Sequence, residues 1–270
     1  MRSIDGTALD FRGMDLLAEG DSPIHRLDGR AKVLATLAFI MAVVSFGRYE
    51  LSALFPFFLF PAVLAARGTI PFSYLAKKVV LVVPFALVIG MFNPLVDRDA
   101  LVRIGSLGIS GGWISCASIV VRAFLTVSAS IVLVSTTGFS AVCRALEQLG
   151  APRVFVVQLL FLHRYIFVLL EEGGRLSRAR ELRSFGRNGR GMGSYAPLIG
   201  NLLLRTWERA ERIHRAMLAR GFTGQVHTGT ASRFGRREFR FVAGWIACFL
   251  ILRVWNVSLI LEECIRGVFS

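Results

Sequence analysis

The sequence predicts an all-α membrane protein with about five transmembrane helices and a cytoplasmic three-helix region inserted before the last span. Two properties of the whole chain support this class. Apolar residues make up 54% of the 270 residues and the mean hydropathy is +0.58, whereas soluble domains average about 45–50% apolar residues. The formal net charge is +14, and excess Lys and Arg in membrane proteins collect on the cytoplasmic side.

Five apolar segments are the predicted membrane spans. They lie at 33–46, 51–66, 79–92, 113–137 and 241–261. The first three are at or below the length of about 17–20 residues that a helix needs to cross a bilayer, so flanking residues must contribute. The polar turn GRYE at 47–50 makes the first two spans a helical hairpin. Pro56 and Pro61 are expected to kink its second helix.

The spans divide the chain into five regions. These are a polar segment (1–31), four transmembrane helices (32–137), the cytoplasmic helices (138–240), the last transmembrane helix (241–262) and a short tail (263–270). The first region lacks the apolar core of a cleavable signal peptide. We therefore expect insertion to begin with an internal span.

One further apolar segment, VFVVQLLFLHRYIFVLL at 154–170, qualifies as a span by hydropathy alone. The region that follows it, 173–240, contains fifteen arginines and only four acidic residues. If 154–170 crossed the bilayer, these arginines would lie opposite the other basic loops, against the positive-inside rule. Insertion would also bury His163 and Arg164 at a cost of a few kcal/mol. We therefore expect a helix at the cytoplasmic interface, an N-terminus inside and a C-terminus outside.

The cytoplasmic region is expected to hold three helices, at 139–150, 153–183 and 195–220. Apolar residues at helical spacing form a stripe on the third helix. They are Leu203, Trp207, Ala210, Ile213 and Met217. Gly221 and Gly224 supply the stop signal after this helix.

The second and third helices end in similar segments, LRSFG at 182–186 and ARGFTG at 219–224. Each contains an arginine, a small residue and a phenylalanine. Small residues permit the close approach of another backbone, and the guanidinium groups of Arg183 and Arg220 are rigid forks of donors for carboxylates. The alternative interpretation is two ordinary helix C-caps with arginines that compensate the helix dipole.

Several kinds of chemistry have no support in the sequence. There is no G-x-x-x-x-G-K-[ST] motif, so the chain is not expected to be an ATPase. The four cysteines and four histidines show no metal-ligand spacing, and no recognised motif suggests nucleic-acid binding. The spans contain no carboxylate, which a proton-driven carrier would usually need. Arg122 and Arg253 are their only charged residues, and Arg122 is expected to snorkel or pair with a neighbouring helix.

Several stretches together resemble the T component of energy-coupling factor (ECF) transporters, most closely the cobalt-type CbiQ family. They are SPIHRLDGRAK at 22–32, RAFLTVSASIVLVSTT at 122–137, the segment at 146–186 and NLLLRTWERAERIHRAMLARGFTG at 201–224. They occur in the family's order, and the resemblance covers about residues 20–262.

The resemblance implies a non-catalytic scaffold in the inner membrane of the cell that takes part in importing a transition-metal ion, cobalt in this subfamily. Two ABC-type ATPase subunits, which carry the ATP and Mg, would bind the coupling helices in 138–240. A small membrane substrate-binding (S) subunit would capture the substrate. No cofactor or metal is expected on this chain.

The resemblance also assigns coupling roles to residues at the two helix ends. The family's Ala-Arg-[Ser/Gly] signatures map onto Leu182-Arg183-Ser184 and Ala219-Arg220-Gly221, with Leu182 in place of the usual alanine. Four further positions are expected to support them: Arg180, Phe185, Met217 and Phe222.

Other interpretations stay open at this point. Nickel or a vitamin is the alternative substrate, because specificity would belong to the S subunit. A membrane-bound lipid-modifying enzyme would need a cluster of acids or metal ligands. A self-contained permease would need an internal substrate path.

Overall fold

The computed structural model describes residues 13–96, 100–104, 107–183, 195–224 and 234–254. They belong to two compact units, each of which is discontinuous in sequence. The larger unit comprises Leu16–Gly138 and Ser232–Ser270, and the smaller unit comprises Met1–Asp15 and Phe139–Ala231.

Almost all of the described secondary structure is helical. In chain order the helices are α1 (13–18), α2 (Gly29–Val44), a 3-10 helix (Ser52–Phe58), α3 (Leu59–Arg67), α4 (Phe72–Val80), α5 (Val83–Gly90), α6 (Asn93–Val96), α7 (Gly111–Thr137), α8 (Phe139–Gln148), α9 (Arg153–Arg183), α10 (Tyr195–Ala219) and α11 (Arg236–Val254). A short antiparallel hairpin, β1 (Ala100–Ile104) and β2 (Leu107–Ser110), lies in the glycine-rich loop before α7. The predicted all-α membrane class is confirmed, with this hairpin as a local addition.

Among the described residues, three helical segments are long and apolar enough to cross a membrane. They are Phe72–Gly90, Gly111–Thr137 and Arg153–Arg180, and Ser52–Arg67 is a shorter apolar helix. The last of the three contains 154–170, so length and composition do not separate it from a true span. Only the distribution of charged residues argues that 154–170 is not a membrane span. The five-span topology therefore stays a prediction.

The helical structure of the third predicted span begins before residue 79, where its apolar segment (79–92) starts. Helix α4 starts at Phe72 and is followed, after a break at 81–82, by α5. Pro84 lies in the first turn of α5, where its missing N–H removes no intrahelical hydrogen bond. The two short helices therefore continue one another, and together they reach the 19 residues of Phe72–Gly90.

The second helix of the predicted hairpin is interrupted, as its prolines suggest. Residues Ser52–Phe58 form a 3-10 helix that contains Pro56, and α3 follows from Leu59. Pro61 is the third residue of α3, within the first turn, where N–H groups have no intrahelical partner. The distortion is therefore concentrated at Pro56.

Aromatic rings form the centre of the larger unit. Phe39 of α2 stacks on Phe60 of α3 with ring centroids 4.6 Å apart, and Phe249 of α11 lies 5.5 Å from Phe39. Trp245 meets Phe60 edge-on at 4.8 Å. Because lipid is as apolar as these rings, close packing rather than removal from water is what joins the three helices inside a bilayer.

Both arginines of the predicted spans bind carbonyl groups of the segment that directly follows α2, which ends at Val44. Arg122 Nη2 donates to the carbonyl oxygen of Gly47. Arg253 Nη2 donates to the Ser45 carbonyl oxygen at 3.0 Å, and its Nη1 lies 3.6 Å from Glu50 Oε2. Carbonyl groups at a helix end lack intrahelical partners and carry partial negative charge. Arg122 therefore pairs with the turn that follows α2 rather than with a helix.

The other end of α2 contains a buried lysine. Asp28 caps the helix, with Oδ1 accepting the Arg30 N–H at 2.9 Å. Lys32, one turn later, is buried and donates from Nζ to the Thr136 carbonyl oxygen at 2.8 Å. Thr136 belongs to the last turn of α7. The SPIHRLDGRAK segment therefore ties the start of α2 to the end of α7.

Candidate coupling site

The smaller unit contains the helices that the sequence assigns to coupling. The predicted helices at 153–183 and 195–220 are confirmed as α9 and α10. Helix α9 runs for 31 residues without a break, which corresponds to about 46 Å at 1.5 Å per residue. Helix α8 ends at Gln148. In the turn that follows, Gly150 has φ +109°, and the N–H of Ala151 donates to the Leu146 carbonyl at 3.0 Å.

The end of α10 has a complete glycine cap. Gly221 has φ +78°, and its N–H donates to the Leu218 carbonyl oxygen at 3.0 Å. The Phe222 N–H donates to the Met217 carbonyl oxygen, also at 3.0 Å. This pair of bonds is the Schellman motif, in which the residue before the glycine is the last to continue the helix direction. That residue is Arg220.

The cap separates the roles of the residues in the predicted tip. Gly221 provides the left-handed conformation, and the side chains of Met217 and Phe222 are partly buried, so these three residues shape the turn. Ala219 and Arg220 are exposed. The helix-cap interpretation thus accounts for the glycine, while the Arg220 guanidinium is presented to solvent at the end of a rigid turn.

The tip of α9 is only partly described. Arg183 is the last residue of α9, and Leu182, which stands where the family has alanine, is 81% exposed. Arg180 is half-buried. Ser184 and Phe185 lie outside the described residues. The larger side chain of Leu182 therefore faces solvent rather than the interior of the chain.

The described acids of α10 are paired within the helix. Glu208 Oε2 lies 3.8 Å from Arg212 Nη1, and Glu211 Oε1 accepts from Arg215 Nη2 at 2.6 Å. Both pairs have the i,i+4 spacing that stabilises exposed helices by a few tenths of a kcal/mol. Carboxylates on this helix are therefore already matched with arginines other than Arg220.

A third carboxylate joins the two long helices. Glu172 of α9 accepts from Arg175 Nη2 at 2.7 Å through Oε2 and from Arg205 Nη1 of α10 at 3.0 Å through Oε1. Sequence analysis missed this pair. The only signal in the sequence is the acidic EEGG segment that directly follows the apolar part of α9, since spacing along the chain does not show which arginine of another helix lies opposite.

The apolar stripe of α10 is largely exposed. Leu203 is 65% and Trp207 72% exposed, whereas Leu202 and Thr206 are partly buried. Two contacts set which face of α10 lies against α9. One is the Glu172–Arg205 ion pair; the other is between Leu202 and Gly173, where a Cβ built on the glycine would lie 3.9 Å from Leu202 Cδ2. Both helices line a groove of about 850 Å³; its apolar residues are Tyr165, Val168, Leu169, Leu203, Trp207, Ala210 and Ile213.

Neither Cys143 nor any grouping of possible metal ligands marks a chemical centre in the part of the chain that the structure describes. Cys143 of α8 is buried, and burial raises the pKa of its thiol, which makes it a packing residue rather than a nucleophile. Within 13–96, 100–104, 107–183, 195–224 and 234–254, no three His, Cys, Asp or Glu residues are grouped so that they could hold a metal ion.

The smaller unit thus presents two long helices, and Arg220 is exposed in the turn that follows α10. The model of the CbiQ family, described as cobalt transport protein, matches residues 20–229. This chain belongs to that family and is a T component of an ECF transporter. The matched region includes SPIHRLDGRAK and both helix tips, and it ends before α11.

Named relatives agree with this assignment over most of the chain. The energy-coupling factor transporter transmembrane protein EcfT of Listeria innocua is 27% identical over 254 residues, covering 86% of this chain and 90% of the relative. EcfT of Heliobacterium modesticaldum is 28% identical over 220 residues, covering 76% and 81%. An uncharacterized protein of Methanocaldococcus jannaschii is 26% identical over 213 residues, covering 75% and 72%.

Proposed function

We propose that this T component couples two cytoplasmic ABC-type ATPase subunits to a small membrane S subunit in an importer of a transition-metal ion, with cobalt as the substrate. ATP and Mg belong to the ATPase subunits in this arrangement, and the chain itself carries no catalytic group. The observation that carries the proposal is the exposed Arg220 at the rigid C-terminal turn of α10.

The electrostatics of α10 support an acidic partner for that arginine. Glu208 and Glu211 already pair with Arg212 and Arg215, so a carboxylate for Arg220 is best supplied by another protein. A guanidinium group can donate two parallel hydrogen bonds to the two oxygens of one carboxylate. Arg183, at the end of α9, is proposed to play the equivalent role for the second ATPase subunit.

Motion is proposed to travel along the helices themselves. Closure of the ATPase dimer on ATP would displace the two helix tips. Helix α9, whose 31 residues from Arg153 to Arg183 are helical throughout, would carry that displacement along its length. The exposed apolar residues of α9 and α10, including Leu203 and Trp207, are the surfaces that would pass it to the S subunit.

The family description supports cobalt over nickel or a vitamin as the substrate. A co-purification experiment tests the whole proposal. The chain is expressed with candidate ATPase and S subunits, and the isolated complex is assayed for ATP hydrolysis and for uptake of cobalt, nickel and vitamins into proteoliposomes. Stable assembly and ATP-dependent cobalt uptake are expected. Failure to retain the ATPase subunits would contradict the coupling role. Selective uptake of nickel or of a vitamin would show that this compound, and not cobalt, is the substrate.

Topology is tested by labelling with an impermeant thiol reagent in intact cells. In a cysteine-free background, Gly191→Cys is expected to be protected, because we place the 173–240 region on the cytoplasmic side. Tyr49→Cys in the GRYE turn, which is partly exposed in the structure, is the matched outside control and is expected to react. Rapid labelling at Gly191→Cys would establish 154–170 as a true span.

A further inference from the structure

Glu172 is the point at which charged groups connect α9 to α10. Its side chain is 17% exposed, whereas those of Arg175 and Arg205 are 57% and 61% exposed. Each carboxylate oxygen has its own donor: Oε2 accepts from Arg175 of the same helix and Oε1 accepts from Arg205 of the other. Arg175 thereby fixes the rotamer from which Glu172 reaches α10.

A side-chain contact beside this pair is independent support for packing of α9 against α10 at this point. Gly173, the next residue, faces Leu202, whose Cδ2 would lie 3.9 Å from a Cβ at that position. Small residues allow two helices to approach closely. The groove that both helices line also includes Glu172 and Arg205 in its wall. The charged contact and the contact of Leu202 with Gly173 therefore lie at the same place along the two helices.

We propose that Glu172 is a positioning residue for energy coupling: held by Arg175, it clasps Arg205 and makes α9 and α10 move as one body. This inference rests on the coupling function proposed above. The clasp lies 11 residues before Arg183 and Arg205 lies 15 residues before Arg220, which are distances of about 16 Å and 22 Å along the helices. Displacement of either tip is therefore shared between both helices before it reaches their apolar faces.

Loss of the clasp is expected to uncouple the transporter rather than to inactivate the ATPase subunits. In Glu172→Gln the side chain keeps its size but has one acceptor oxygen instead of two, and it loses its charge, so it cannot hold both guanidinium groups. The tips stay intact and still bind the ATPase subunits. Their movement is no longer shared, so ATP is hydrolysed with less transport.

The test measures substrate transported per ATP hydrolysed by the complete complex in proteoliposomes, with cobalt ion as the first probe. Glu172→Gln is expected to lower this ratio roughly tenfold, which is within the usual size of a coupling between two sites. Subunit assembly is expected to be retained. The ATPase rate is expected to stay within about twofold of the wild-type rate, because the change affects coupling and not the ATPase subunits. Arg205→Gln should give the same defect. The double variant should be no worse than either single variant, because the residues act as one pair.

Glu211→Gln is the matched control, since it removes the same charge from an ion pair that lies within α10 alone. Its transport ratio is expected to equal that of the wild type. A wild-type ratio in Glu172→Gln would overturn the clasp while leaving the proposed function intact. Loss of assembly in both Glu172→Gln and Arg205→Gln would also overturn it, by making the pair a folding element. If wild-type protein itself does not assemble with ATPase subunits, the proposed function fails first.

Discussion

Arg220→Glu is expected to abolish substrate uptake and to weaken co-purification of the ATPase subunits, with normal membrane insertion; Arg183→Glu should do the same. Arg220 is exposed, so reversing its charge leaves the interior of the chain unchanged. In the complex, the substituted carboxylate would face the acid that normally binds the arginine. Breaking one side of such a buried pair commonly costs about 2–5 kcal/mol, and repulsion adds to that cost.

The measurement is the yield of ATPase subunits retained on tagged T component, together with uptake and the amount of protein in the membrane fraction. Arg236→Glu provides a control, because it is an exposed arginine of the larger unit and undergoes the same charge reversal. Wild-type assembly and uptake in both Arg183→Glu and Arg220→Glu would reject the role assigned to the tips.

Lys32→Met is expected to cause the largest loss of stability. Lys32 and Thr136 are both buried, and the Nζ–carbonyl hydrogen bond between them is 2.8 Å long. Asp28, one turn earlier, is also buried, and its Oδ2 has no hydrogen-bond partner among the described residues. Methionine fills the space but leaves the carbonyl unpaired and the aspartate without its neighbouring cation. Leaving a buried hydrogen-bond acceptor without its donor typically costs about 1–3 kcal/mol.

Thermal unfolding in detergent measures this effect, with the fraction of folded protein followed by size-exclusion chromatography after heating. Lys77→Met is the matched control, because Lys77 is exposed on α4, and its midpoint temperature should stay at the wild-type value. An unchanged midpoint in Lys32→Met would mean that the buried contact contributes little to holding α2 against α7.

Periodicity and composition predict the elements of this fold well. The helices 153–183 and 195–220 follow from apolar spacing and from glycine stop signals, and α9 and α10 match them. The start of the third span at Phe72 was not predicted, because Lys77 and Lys78 lower the hydropathy of a segment that is nevertheless helical. Hydropathy measures composition, whereas helix length depends on backbone hydrogen bonds.

Contacts between helices are the part that the sequence does not predict. Glu172 and Arg205 are 33 residues apart, and nothing in their spacing identifies them as partners among many arginines. The same holds for Lys32, since a lysine at the end of a span ordinarily extends to the interface, and here it is buried against a helix 104 residues away. The left-handed glycine at 221 was predicted as a stop, but its consequence for Arg220 depends on the hydrogen bonds of the cap.

The internal ion pairs of α10 also bear on how fast a partner is found. With Glu208 and Glu211 matched to arginines one turn away, the field beyond the helix end is dominated by unneutralised positive charge. Such a field accelerates diffusional encounter with an acidic surface. It extends only about 8 Å at physiological ionic strength. If the proposed complex forms, its association rate is expected to fall as ionic strength rises, whereas its lifetime is expected to depend on the fit of the arginine side chains.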